Sequence, residues 1–221
     1  MNLNPTNWIA ALLVSFLPAI GATNADKPAV VLLHGIHDSG AKMKWLAHQF
    51  ERSGYETFCP SLTPANGRSS LEELAKQLNT VVNERFGAAR PLHVVGFSMG
   101  GLISRCWVAQ HPERVVTFAT LSAPHNGTLF AYVNTLPGVR QMRPRSLFLT
   151  ELARKDDAFA SLHPLSLFTP LDLIIVPATS SRWKVAKNEA SWQLFHPLMV
   201  FSPAIFRRLL QNMQTGENPT L

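Results

Sequence analysis

Three runs of the chain, AVVLL (29–33), LHVVGF (92–97) and RVVTFATLS (114–122), are apolar almost without alternation. A strand with one wet face alternates polar and apolar side chains. Near-continuous β-branched and aliphatic runs belong to strands buried on both faces, which is the situation of a parallel sheet. The segments between them carry helical periods. Met43, Leu46, Ala47 and Phe50 share one face over residues 42–53, with Gly54 as a stop. Ser70 opens a second helix with Glu72 and Glu73 in its first turn, and Leu71, Leu74, Leu78 and Val81 line one side of it before Gly87. YETFCP (55–60) reads as a short strand. LSLFT (165–169) and ASWQLF (190–195) read as later ones, and PAIFRRLLQNMQ (203–214) as a closing amphipathic helix. Strand and helix in turn predict an α/β chain: a compact, mostly parallel sheet of about six strands with helices on both faces. The alternation lapses over residues 126–164, where Arg140, Arg143, Arg145, Pro137 and Pro144 interrupt Leu and Phe; this stretch is expected to form a lid-like insertion over the carboxyl edge of the sheet.

With 221 residues, 46% of them hydrophobic, the chain can close one core. The first 25 residues carry no charged side chain, and Trp8–Ile20 is apolar but shorter than the roughly 20 residues of a spanning helix. A secretory signal cleaved after Ala22 or Ala25 fits this pattern, implying a secreted or periplasmic protein; an uncleaved anchor or an N-terminal helix packed on the domain are the alternatives. Net charge is +6, yet Lys and Arg are scattered and no basic run alternates with stacking aromatics. Nucleic acid is therefore not expected, while anionic lipid headgroups remain a possible peripheral partner. Cys59 and Cys106 lie in no ligand spacing; they read as two thiols, with a disulfide between them as the alternative. There is no HExxH, no Cys/His ligand set and no clustered Asp loop, so neither a metal nor a cofactor is expected.

The chemistry concentrates at Gly96-Phe97-Ser98-Met99-Gly100, a G-x-S-x-G between a buried strand and a helix-forming run. In a tight strand-to-helix turn the two backbones converge two residues either side of the serine, where only glycine fits, and the hydroxyl is lifted above the sheet. A serine hydroxyl is a weak nucleophile that needs a base, and the base needs an orienter; in this arrangement the chain order is Ser, acid, His. Of eight histidines only His196 follows both Ser98 and the late strands. Six acids lie between them. Glu113 belongs to the HPERVV turn, Glu151, Asp156 and Asp157 to a charged helical surface run, and Glu189 to a polar loop. Asp172 remains, just past a strand end among apolar residues, where open α/β sheets gather their functional groups. Ser98, Asp172 and His196 are the expected nucleophile, acid and base. The Met99 amide and the Ile36 amide in HGIHDSG are the expected oxyanion donors. His34 precedes the serine and is read as shaping that loop.

Taken in order, VVLLHGIHDSG, HVVGFSMGGLISR, RVVTFATLSAPHNGT, PLDLIIVPATSS and FHPL resemble the bacterial triacylglycerol lipase and esterase branch of the α/β-hydrolase family over residues 28–197. The resemblance implies hydrolysis of a small-molecule or lipid ester through an acyl-enzyme on Ser98, Asp172 and His196. It implies a loop-shaping role for His125 in SAPHNGT. The chain departs from the family pattern at Phe195, where relatives often carry Gly before the catalytic His. It is also short for the family, so one or two early strands should be missing. An acyltransferase or thioesterase on the same triad, and a non-catalytic binding protein of the same fold, are the alternative readings.

Overall fold

The computed structural model describes residues 27–218; the expected signal or anchor segment lies outside them. Six strands form one sheet: β1 (Ala29–Leu33), β2 (Thr57–Phe58), β3 (Leu92–Phe97), β4 (Val115–Leu121), β5 (Leu165–Phe168) and β6 (Lys187–Ala190), in the spatial order β2-β1-β3-β4-β5-β6. Every pairing is parallel, so all carboxyl ends meet at one edge. The order of the strands reverses between β1 and β3, which leaves a crevice at their carboxyl ends.

Helices cover both faces because the strand side chains alternate between two cores. Val30, Leu32, Val95, Phe97 and Leu121 pack against α1 (Lys44–Arg52) and the C-terminal helix. Val31, Leu33, Val94 and Phe118 pack against α2 (Leu71–Phe86) and α3 (Met99–Val108). The Ser70 hydroxyl accepts from the Glu73 amide at 3.2 Å and the Glu73 carboxylate accepts from the Ser70 amide at 2.9 Å. This satisfies two orphan donors at the start of α2. Val82, not Val81, completes the buried face of that helix, with Val81 half-buried at its margin.

Three further expectations are corrected. The last strand is Lys187–Ala190, not ASWQLF: residues 191–195 run on as a loop. As an edge strand, β6 needs no apolar run. Glu189, expected in a polar loop, is one of its residues and accepts two hydrogen bonds from the Arg208 guanidinium, at 2.6 and 2.8 Å. Residues 126–164 hold two short α-helices, α4 (Pro137–Gln141) and α5 (Leu147–Ala153), and α6 (Pro203–Glu217) follows β6. Asp156, expected on a solvated surface, instead pairs with buried Arg105 at 2.5 Å and accepts from the Trp183 indole. Cys59 and Cys106 are both free thiols. Among the described residues no helix is long and apolar enough to cross a membrane.

Candidate active site

Ser98 sits between β3 and α3 at φ 54°, ψ −126°, a region that costs a non-glycine residue of order 1–3 kcal/mol. Packing on both flanks imposes that turn. A Cβ at Gly96 would lie 2.5 Å from the Gly101 Cα and 2.7 Å from the Gly100 carbonyl oxygen. A Cβ at Gly100 would lie 2.7 Å from the Leu33 carbonyl oxygen and closer still to that of His34. No side chain other than hydrogen fits at either position.

The remaining residues arrive from three other strand ends. From β1, Gly35 brings its backbone onto Ser98: a Cβ on Gly35 would stand 3.0 Å from the Ser98 Cβ. This carries Ile36 to the crevice beside the first turn of α3. Among the described residues, neither the Ile36 nor the Met99 amide donates to another group. His34 holds the base of the same loop, with Nδ1 against the Gly35 carbonyl at 2.9 Å and Nε2 accepting from the Leu62 amide at 3.1 Å. Its burial lowers its pKa, which keeps the ring neutral with one nitrogen free to accept.

Asp172 and His196 come from the loops after β5 and β6. His196 Nδ1 and Asp172 Oδ2 are 2.7 Å apart and both residues are buried. Asp172 Oδ1 accepts from the amides of Ile174 (3.0 Å) and Ile175 (2.9 Å). Burial pushes this carboxyl up, but the hydrogen bond and charge of His196 and the two amides pull it further down, so its pKa lies below the ordinary carboxylate value. The imidazole packs on the ring of Phe97, the residue before Ser98, with centroids 4.8 Å apart. No hydrogen bond joins Ser98 Oγ to His196 Nε2 in this structure; such bonds often tighten only when substrate is present.

Ser98 opens on a cleft of about 150 Å³ lined by Ile36, Phe130, Val139, Met142 and Ile174. Most of this lining comes from residues 126–164. His125 is buried, stacked on Trp183 at 4.9 Å and hydrogen-bonded to Thr120 and Arg105. Burial and the Arg105 charge push its pKa well below the usual value, so it is neutral. Gly35, packed against Ser98, and Thr128, in the cleft lining, carry no signal in the sequence beyond their membership of HGIHDSG and SAPHNGT.

Residues 28–202 match the profile of a family described as the alpha/beta hydrolase fold. The chain is 36% identical over 115 residues to a lysosomal thioesterase PPT2 homolog of Drosophila melanogaster, covering 49% of this chain and 39% of that protein. It is 26% identical over 181 residues to a triacylglycerol lipase of Burkholderia plantarii, covering 77% of this chain and 50% of the lipase. The chain thus spans half or less of the length of these relatives. Among solved structures, the mature lipase BlEst2 of Bacillus licheniformis superposes with a TM-score of 0.66 at 18% identity, over 85% of this chain and 92% of that one.

Proposed function

The chain belongs to the α/β-hydrolase family, and from that premise we propose a serine hydrolase that cleaves carboxylic esters through an acyl-enzyme on Ser98. Two observations support this reading: Ser98 is held at positive φ at the end of β3, and the His196 ring, packed on the adjacent Phe97, is hydrogen-bonded to a buried carboxylate. His196 Nε2 takes the proton as Ser98 Oγ adds to the ester carbonyl. Asp172 holds Nδ1–H and stabilises the imidazolium. The Ile36 and Met99 amides meet the oxyanion, with the N-terminal end of α3 adding its dipole. His196 returns the proton to the leaving alcohol, and water then repeats the cycle on the acyl-serine. The apolar cleft favours an acyl chain, and the uncharged first 25 residues favour export to the periplasm or medium.

Because a thioesterase stands among the relatives, the test uses p-nitrophenyl esters of graded chain length beside the matching acyl thioesters, with a fluorophosphonate probe. Ester turnover and covalent labelling at Ser98 are the expected results. Thioester turnover far ahead of ester turnover would move the assignment to a thioesterase, and an unlabelled, inert protein would make it a binding module.

The natural substrate source on this reading is an anionic lipid surface. Val133, which lines the cleft, and Leu173, Trp192 and Leu194, in the loops after β5 and β6, are exposed, each at least 66% accessible. Cations lie on two exposed aromatic rings: Lys42 Nζ is 5.5 Å from Phe201 and the Arg143 guanidinium 4.8 Å from Tyr132. Residues 122–150 contain three arginines and no acid, and residues 191–216 two arginines and no acid. Exposed apolar side chains in acid-poor, arginine-bearing segments suit a headgroup boundary. The protein is expected to sediment with phosphatidylglycerol vesicles, to release in high salt, and to bind about tenfold more weakly as Trp192→Ala/Leu194→Ala. Equal retention by purely zwitterionic vesicles would exclude the electrostatic part, and no retention by either would exclude the surface.

A further inference from the structure

We infer that Thr128 is a positioning residue for Asp172, an inference that rests on the proposed function. The carboxylate can aim Oδ2 at His196 only because Oδ1 is tethered to the amides of Ile174 and Ile175. Those amides lie in a stretch after β5, residues 169–176, that is neither helix nor strand. Within it the two amides are held by Asp172 Oδ1 alone, so their own placement must come from elsewhere.

Thr128 supplies that placement from outside. Its Oγ1 donates to the Ile174 carbonyl at 2.7 Å and accepts from the Val176 amide at 2.9 Å, gripping the backbone on both sides of Ile175. The Leu129 amide adds a bond to the Val176 carbonyl at 2.9 Å. Thr128 is itself buried and anchored, its amide donating to the Met142 carbonyl at 2.8 Å. One hydroxyl therefore serves as donor and acceptor at once, a combination that serine keeps and valine loses. Thr128 Oγ1 also accepts from the Phe130 amide at 3.2 Å, the bond of a simple helix cap. A capping role would affect stability alone. A positioning role must depend on the carboxylate being present.

The experiment is a double-mutant cycle on the full-length protein with p-nitrophenyl butyrate, alongside thermal melting. Thr128→Val should lower kcat about 10- to 100-fold, the usual scale for a sub-ångström to 1 Å displacement of a catalytic group. Thr128→Ser should restore most of that loss. In an Asp172→Asn background the valine substitution should cost less than about twofold, because there is no carboxylate left to aim. Should the valine variant not fold, Thr128→Ala replaces it in the same cycle. An undiminished kcat, an equal loss in the Asp172→Asn background, or a serine variant as impaired as valine would each overturn the inference. The two levels fail separately: an active Ser98→Ala variant would overturn the proposed function, whereas an inactive Ser98→Ala beside a fully active Thr128→Val would overturn the positioning role alone.

Discussion

Ser98→Ala should lower kcat for p-nitrophenyl ester hydrolysis by about 10^6-fold, the scale at which a serine nucleophile is lost from such a triad. The same substitution should abolish fluorophosphonate labelling. The fold should barely notice. Ser98 Oγ makes no hydrogen bond among the described residues, so its removal orphans no partner. Alanine at φ 54° bears nearly the same backbone strain as serine, because the strain comes from Cβ. The melting temperature is therefore expected to stay within what about 0.5 kcal/mol can move. Hydrolysis at the wild-type rate by a folded Ser98→Ala protein would remove the acyl-enzyme from the mechanism.

The contrast between that loss and an unchanged fold explains which parts of this molecule were readable from its sequence. The buried strands announce themselves because burial on both faces leaves a one-dimensional mark: Val, Leu and Ile without interruption. The elbow announces itself because two backbone approaches exclude every side chain at fixed offsets from Ser98. β6 leaves no such mark. It lies at an edge, its residues are Lys187, Asn188, Glu189 and Ala190, and what holds it is the Arg208 pair and its ladder with β5. The apolar residues just beyond it, Trp192, Leu194 and Phe195, read as a strand but face solvent. Asp156 misled for the opposite reason. Its sequence neighbours are charged, but its partners Arg105 and Trp183 lie 51 and 27 residues away. Thr128 was unreadable because the turn it grips, residues 174–176, has no pattern of its own.

The second large effect is expected at Asp172. Asp172→Asn should lower kcat about 10^4-fold with KM little changed. Asparagine is nearly isosteric, and its carbonyl oxygen can still accept from the Ile174 and Ile175 amides. Its NH2 group then faces His196 Nδ1 as a donor. That nitrogen must become the acceptor, so the ring proton moves to Nε2, the atom required to take the proton of Ser98. The ring stays in place in the wrong tautomer, and the loss falls on the chemical step rather than on binding. Asp172→Ala should lose similar activity and also stability, since it leaves two buried amides without their acceptor. The two variants thus separate charge and tautomer from scaffolding. Folding lowers the Asp172 pKa, so its ionised form contributes to stability fully above the ordinary carboxylate range and loses that contribution only as pH falls through the lowered value. The wild-type melting temperature should fall in that acid window more steeply than that of Asp172→Asn. An Asp172→Asn enzyme retaining a tenth of wild-type kcat would assign the acid to another carboxylate. Neither Asp156 nor Glu189 is free for it, because each is already bound to an arginine.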